Sequence, residues 1–548
     1  MALVEVFALG GVGEIGKNCY VVRQDDDIIV IDCGLAFPNE EMPGVDIVIP
    51  DFTYLLENSD KVRGVFLTHA HEDHVGSLPY LLNQLEVPVY ATEFTHALIR
   101  SKLEEKTDFR SLTLKTFAPG DIIQVGALSV EPVRVTHSIP DTCAMAVRTQ
   151  HGIVLFTSDF KFDFTPVDGK LTNMARLGEL GKEGVLVLLS DSTNIERPGW
   201  GPTESAVSDG LRHVMTHAPG RVMLTTFASN IHRMQQVYTV AAEVGRKVAV
   251  VGRRMEQNIE ICSRMGYLQI PKGVRINLDE MQFYKPEQLM ILTTGSQGEP
   301  MSALVQMSKG EYGRLQVREG DTVIYSARPI PGNEAAIWRT INRLFRQGAT
   351  VVYDSQSPIH VSGHAYREEL KMMINLTRPF YLAPVHGEPR HQHLYRQMGL
   401  DMGFPDHRIF TLNDGIPLCL DDTKAYLGEQ QPCGRVLVDT SGATGVPDDV
   451  LRDRTNVARD GVIVVTVAID PERGELVGQP SIQFRGVHAE DGALDDTIEV
   501  VEDALRALDV NDLRDVDKVR HLVSDTIRRF VHKRASVRPL VLPTIIEV

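Results

Sequence analysis

The stretch "VFLTHAHEDHVGSLP", residues 65–79, decides how this chain is read. An apolar run ends there in His69, His71, Asp73 and His74, all within six positions. Alternate residues of an extended segment share a face, so His69 and His71 can grip one ion together. Asp73 and His74 lie one step further, round a turn, where they can grip a second. Four side chains cannot complete two metal shells, so more ligands are expected, again as polar residues directly after a strand. Three positions have that topology: His137 closing "LSVEPVRVTHS", Asp159 closing "IVLFTSD" and His386 in "FYLAPVHG". Imidazole and carboxylate donors without a thiolate favour zinc or manganese over magnesium or an iron–sulfur centre. Two such ions a few ångströms apart offer hydrolytic chemistry and need no redox partner. By contrast His96, His151, His213, His217 and His521 lack this context and read as surface or packing residues.

A second motif points elsewhere. "LGGVGEIGKN", residues 9–18, carries G-x-G-x-x-G at Gly11, Gly13 and Gly16, and Asp32 follows at the spacing of a ribose-binding carboxylate. A dinucleotide turn must open a helix, because the pyrophosphate sits on the helix N-terminus. Here "CYVV" is strand-like, "QDDD" is a turn, and the next strand begins at Ile28. Fewer than about a dozen residues cannot hold a crossover helix and its loops. The segment reads as a β-hairpin with a glycine-rich lead-in.

The bulk numbers set bounds. At 548 residues the chain exceeds one core, and its 43% hydrophobic and 24% charged residues are those of an ordinary globular protein. No apolar run approaches the roughly 18–20 residues of a membrane span. The start "MALVEVFALG" lacks a basic leader, so a cytoplasmic location without a membrane partner is expected. The six cysteines are scattered, without a C-x-x-C pair, and read as reduced, mostly buried thiols. A net charge of −17 argues weakly against nucleic acid as a partner, so a polyanionic substrate requires a local positive site. Metal ions would supply one.

Along the chain, residues 1–204 read as short strands closed by turns. Residues 205–355 alternate strands such as "RVMLTTF", "KVAVVG" and "LMILTTG" with helical stretches, which predicts a parallel sheet flanked by helices. Short strands return over 356–445, a polar linker is expected over 446–460, and 461–548 form a last small α+β domain.

The H-x-H-x-D-H run with His137, Asp159 and His386 in order resembles the metallo-β-lactamase superfamily. That resemblance implies an α/β fold of two sheets sandwiched between helices, αββα. It implies His69, His71 and His137 on one ion, Asp73, His74 and His386 on the other, and Asp159 bridging them. The inserted segment resembles the β-CASP domain of the nucleic-acid-processing branch. The branch's extra motifs match at Asp191 in "LLSDSTN", His364 in "HVSGHA" and His386 in "APVHGE". Histidine at the last position is typical of RNA-acting members. "GGVGEIGKN", "TFASNIHR", "TTGSQGEP", "PIPGNE" and "RPLVLPTIIEV" are similar to bacterial ribonuclease J, so the resemblance spans essentially the whole chain.

It implies a ribonuclease acting in rRNA processing and mRNA decay, with two Zn²⁺ or Mn²⁺ ions per chain. Trimming single-stranded RNA from a 5′-monophosphate end and internal cutting are both open. It further implies a homodimer through the C-terminal domain and partners in an RNA-degradation complex. A DNA-acting β-CASP nuclease and a non-catalytic RNA-binding scaffold are the alternatives. His364 is expected to contact the scissile phosphate and help protonate the leaving oxygen, with Asp191 orienting it, although "SDSTN" also suits an Asx turn. Asp73 stands as ligand, proton shuttle or both. Ser229 and Asn230 at a helix start, with Ser362, Gly363, His364 and Ala365, resemble the family's 5′-phosphate pocket. Ordinary N-capping by Ser229 or Asn230 competes with that reading. The basic run Arg528, Arg529, His532, Lys533, Arg534 and Arg538 suits RNA backbone, a solvated helix face or a subunit contact.

Overall fold

The computed structural model describes residues 3–39, 42–108, 111–330, 332–353, 358–421, 424–439, 442, 445–487 and 493–548. They fall into two compact units, one of residues 1–37 and 48–436, the other of residues 38–47 and 437–548.

The first unit is built on two facing sheets. One has eight strands, ordered Ala425–Leu427, Leu418–Leu420, Val4–Gly10, Cys19–Gln24, Asp27–Ile31, Val62–Phe66, Val89–Ala91 and Leu114–Thr116. Its first five strands pair antiparallel and the rest join in parallel. Cys19–Gln24 and Asp27–Ile31 form a tight hairpin with Gln24 opposite Asp27, so no crossover helix follows the glycine-rich segment. The other sheet has six strands, ordered Tyr381–Val385, Val185–Asp191, Gly152–Phe156, Cys143–Thr149, Leu128–Arg134 and Ile123–Val125. Alternate residues of both sheets interleave in one core, including Val6, Tyr20, Ile29 and Phe66 from the first and Met145, Phe156, Leu189 and Val385 from the second. Helices Met174–Glu183, Arg367–Thr377 and Pro389–Asp401 cover the outer face of the six-stranded sheet. This is the αββα sandwich.

The inserted segment folds around a five-stranded, wholly parallel sheet, ordered Lys247–Val251, Leu289–Thr293, Val222–Thr225, Thr322–Tyr325 and Thr350–Val352. Helices Ala206–His217, Ile231–Glu243 and Arg253–Arg264 pack on one face, and Ala303–Lys309 with Glu334–Arg346 on the other. Both faces are covered, so these strands read as continuous apolar runs rather than alternating ones.

The second unit centres on strand Val462–Asp470, which pairs antiparallel with Ser481–Arg485 and parallel with Leu540–Glu547. Ile463, Val465, Val467 and Ile469 alternate inward against Val501 and Leu505 of helix Ala493–Arg506 and Val519, Val523 and Ile527 of helix Val516–Ala535. The expected linker over 446–460 is instead helix Asp448–Asp460. Pro447 precedes it, Asp448 and Asp449 favour its N-terminus, and Gly461 at φ 80° ends it. Leu451 is its buried apolar anchor, so the sequence shows little periodicity. Residues 38–47, taken with the N-terminal domain in the sequence, group with this unit; Arg454 of the helix donates to the Gly44 carbonyl at 3.0 Å. All six cysteines are free thiols, five of them buried. Among the described residues no helix is long and apolar enough to cross a membrane.

Candidate metal centre

The ligand candidates arrive on strand ends at one edge of the sandwich. Strand Val62–Phe66 leads into His69 and His71, and short helix Glu72–Val75 carries Asp73 and His74. His137 follows Leu128–Arg134, Asp159 follows Gly152–Phe156, and His386 follows Tyr381–Val385. Asp32, Ser158 and His386 adopt left-handed backbone (φ 63°, 58° and 48°), so the chain turns sharply just where these strands end.

Three groups of donors result, two of them sharing Asp159 and the third made of Asp191, His364 and His386. His69, His71, His137 and Asp159 place one ligand atom each within 4.8 Å of one another, and Asp73, His74, Asp159 and His386 do the same. His71 Nδ1 lies 3.1 Å from both His69 Nε2 and His137 Nε2. Donor nitrogens around a tetrahedral zinc at about 2.0–2.1 Å are themselves about 3.3 Å apart, so these three fit a cation. Asp159 Oδ2 stands 3.2 Å from His74 Nε2 and 3.6 Å from His137 Nε2, so one carboxylate faces both groups. His386 Nε2 is buried without a hydrogen-bond partner and points at Asp73 Oδ2, 3.4 Å away. An orphaned buried nitrogen converging with two carboxylates is a donor set that suits a divalent ion.

Electrostatics agree. Burial holds His69 and His137 well below the usual imidazole range and takes His71 down to about 4, so these nitrogens stay unprotonated. Burial opposes charge on His74 and His386 too, but there the carboxylates of Asp159 and Asp73 win. His74 is raised well above its ordinary value and His386 is pushed up to about 10. Asp73 and Asp159 are held below the usual carboxylate range by those same imidazoles, against burial. Without metal, protons sit where the second cation would.

One residue that matters here escaped sequence reasoning as a site residue. Asp32, read only as a failed ribose ligand, is fully buried and accepts from Thr68 N at 2.8 Å and Thr68 Oγ1 at 2.9 Å. Its Oδ2 also lies 2.7 Å from His74 Nδ1. Thr68 Oγ1, donating to Asp32, is left to accept from His69 Nδ1 at 2.9 Å. One carboxylate therefore fixes the tautomer of an imidazole in each group and turns both Nε2 atoms inward. His137 is fixed separately, by its Nδ1 contact to the Gly363 carbonyl at 2.8 Å.

The glycine-rich segment braces this edge. Gly11 O accepts from His386 N at 2.8 Å and from the Tyr20 hydroxyl at 3.1 Å, while Asn18 Nδ2 reaches the Asp73 carbonyl. Gly11 has φ 99°, and a side chain there would strike Asn18 and Tyr20. At Gly34 an added Cβ would lie 1.6 Å from the Asp73 carbonyl oxygen.

His364 stands beside both groups, its Nδ1 2.8 Å from Asp191 Oδ2 and its Nε2 3.9 Å from Asp159 Oδ2. Asp191 closes strand Val185–Asp191, and its other oxygen accepts from Thr193 N at 2.9 Å, so the Asx turn and the histidine contact coexist. Burial disfavours charge on His364, but Asp191 and Asp159 raise its proton affinity. Ser362 Oγ accepts from Asn194 Nδ2 at 2.8 Å, and Ala365 is buried in the core, so only its main chain is free for other contacts. Asn230 caps helix Ile231–Glu243, accepting from Arg233 N at 3.0 Å. The side chain of Arg233, wholly buried, pairs with Glu204 at 2.6 Å and donates to Ile359 O at 2.8 Å, tying that helix to the segment leading to His364. His96 is a packing residue bound to the Lys115 carbonyl.

A sandwich of this topology, a parallel α/β insertion and paired histidine–carboxylate groups define a metal-dependent hydrolase of the β-CASP type. The sequence matches the metallo-β-lactamase superfamily over residues 12–191 and the Zn-dependent metallo-hydrolase RNA specificity domain over 352–405. It matches the ribonuclease J β-CASP domain over 219–344 and the ribonuclease J C-terminal domain over 449–548. Ribonuclease J2 of Bacillus subtilis (strain 168) is 38% identical over 548 residues, covering 100% of this chain and 99% of that protein. Ribonuclease J of Thermus thermophilus is 41% identical, covering 99% and 95%. A crystal structure of a protein of unknown function from Enterococcus faecalis V583 shares the fold, with TM-score 0.54 and 19% identity over 76% of this chain and 100% of that one. The chain belongs to the ribonuclease J family and is a metal-dependent ribonuclease.

Proposed function

We propose that this ribonuclease removes nucleotides from the 5′ end of single-stranded RNA, prefers a 5′-monophosphate, and uses two divalent ions, zinc or manganese. The observation that carries the catalytic part is the His364–Asp191 pair at 2.8 Å beside two donor groups that share Asp159. His69, His71 and His137 would hold one ion, Asp73, His74 and His386 the other, and Asp159 both. Bound there, the pair of ions would supply Lewis-acid charge and a water nucleophile.

The chain's own residues do the rest. Asp32 and the Gly363 carbonyl keep the ligand nitrogens aimed inward. His364, its Nδ1 proton directed at Asp191, has Nε2 on the side of Asp159 and the two donor groups, where a protonated imidazole can hydrogen-bond a phosphate oxygen and give its proton to the departing oxygen. The start of helix Ile231–Glu243, tethered by Arg233 to the irregular segment before Ser362, supports a terminal-phosphate site at Ser229 and the Ser362–Ala365 main chain. With Asn230 Oδ1 engaged as the cap, Ser229 is the side chain left for it. Self-association through the second unit is supported by Leu542 and Ile546, exposed apolar residues on a strand that pairs along one edge only among the described residues.

The test uses one RNA labelled at its 3′ end, with a 5′-monophosphate or a 5′-triphosphate, beside DNA of the same sequence. Metal-stripped protein is compared with protein given back Mn²⁺ or Zn²⁺. Stepwise shortening, faster on the monophosphate and absent on DNA, is expected. Internal cuts indifferent to the 5′ group would remove the terminal-phosphate site, and cleavage of DNA at the RNA rate would overturn the RNA assignment.

A further inference from the structure

In the second unit, helix Asp448–Asp460, helix Val516–Ala535 and the lead-in to strand Leu540–Glu547 border a cleft of about 610 Å³. Four guanidinium groups line it, those of Arg452, Arg528, Arg529 and Arg538, against a single carboxylate, Asp453. Several other basic side chains of this unit are paired: Arg454 with Asp439, Lys518 with Asp512, Arg520 with Asp517 and Arg534 with Asp496. Among the described residues none of the four cleft arginines has a carboxylate partner within ion-pair distance.

Helix electrostatics account for only part of this. Cations in the last turn of helix Val516–Ala535 are favoured by its dipole, which suits His532 but does not reach Arg528 and Arg529, a turn or more earlier. Arg452 follows the first turn of its own helix, where positive charge is disfavoured, and Arg538 lies beyond any helix. Three separate elements thus bring unpaired cations to one concavity, on a chain whose net charge is −17. Among the described residues no Phe, Tyr or Trp lines the cleft, and the His532 imidazole is its one ring, so base stacking is a small part of what it offers beside four guanidinium groups. Arginine forks match phosphate oxygens.

We propose that this cleft is an RNA-binding site separate from the metal centre, which holds backbone phosphates of single-stranded RNA without regard to base identity. It rests on RNA being the substrate of this enzyme.

The experiment uses the full chain, stripped of metal so that RNA stays intact, and measures affinity for a labelled single strand across salt concentrations. Wild type is compared with Arg452→Gln/Arg528→Gln/Arg529→Gln and with the matching lysine triple variant. Each lost phosphate contact lowers the slope of log affinity against log salt by about 0.7, and weakens binding at 0.1 M salt by about fivefold. The glutamine variant is expected to lose about two units of slope, the lysine variant to keep most of it, and both to retain wild-type turnover on a saturating trinucleotide. An unchanged slope in a folded glutamine variant overturns the proposal. So does a change of oligomeric state without a change of slope, which would make the cleft a subunit interface. Displacement of RNA by a nucleoside triphosphate as efficiently as by unlabelled RNA would assign the cleft to free nucleotides instead. Metal-restored wild type that fails to cleave RNA would strike at the ribonuclease reading itself, a result separable from all of these.

Discussion

Replacing Asp32 by asparagine tests the claim that one buried carboxylate sets the ligands of both metal groups. The substitution keeps shape and volume and alters only charge and one donor. If the new amide nitrogen takes the Oδ2 place, it faces His74 Nδ1 and donates to it, so the ring proton moves to Nε2 and the nitrogen aimed at the metal is capped. Taking the Oδ1 place instead makes it oppose the Thr68 N–H, a buried donor against a donor. Either arrangement loses one good hydrogen bond or strands one buried group, about 1–3 kcal/mol. At 1.4 kcal/mol per decade this is on the order of 10–100-fold in metal affinity, the usual range for partners that orient a metal ligand. Competition of the folded variant against a chelator of known affinity measures it directly, with thermal unfolding of the metal-free protein as the control. A variant that loads metal as tightly as wild type would refute the tautomer argument. Equal losses in metal-free stability and in nothing else would reduce Asp32 to a packing role.

Three further outcomes follow from the same geometry. His364→Gln should lower the cleavage rate by about 10²–10⁴-fold, the usual contribution of a general acid, with metal content and RNA affinity near wild type; a loss of metal instead would make His364 a ligand. Metal loading should release protons, because His386 at about 10 and His74 above its ordinary value must give theirs up. Affinity therefore rises with pH towards about 10, and calorimetry in buffers of different ionisation enthalpy should show the release; heats that do not depend on the buffer would contradict it. Asp414, pushed up to about 7 by burial and by Glu14 against the pull of Lys17, is protonated in the fold at pH values where the unfolded carboxyl is ionised. Its stabilising effect is complete below about pH 4 and lost as pH rises towards 7, at most about 4 kcal/mol in all. Asp414→Asn should thus raise the melting temperature at pH 8 and converge on wild type near pH 4; a constant offset would refute it.

The convergence of the seven candidate donors was legible because every member follows a strand, and the short-range pattern at residues 69–74 announces the rest. Asp32 was not, since its partners Thr68 and His74 lie 36 and 42 residues further on and its spacing from Gly11 imitated a different site. The cue was there: an acidic residue ending a fully apolar strand, in a position buried on all sides. Helix Asp448–Asp460 stayed hidden for the opposite reason, because only Leu451 and Asp460 are buried and most of its other residues are polar or charged. Gly363 was read as touching substrate; the structure gives its carbonyl to His137, and an added Cβ would lie 2.7 Å from that ring. Sequence showed which motif mattered there but not which atom it serves.

The six-stranded sheet has a consequence for how the enzyme is made. Strand Tyr381–Val385 lies directly beside Val185–Asp191, although the whole inserted domain separates them in the chain. Asp191 is synthesised 173 residues before its partner His364, and His386 comes later still. At roughly 5–20 residues per second the nascent chain carries an incomplete centre for about 10–40 seconds between Asp191 and His386. During that interval it lacks His364 and His386 while its own message is threaded through the ribosome beside it. A centre whose donors meet only when that distant strand docks is assembled late in synthesis, after about two thirds of the chain has been made.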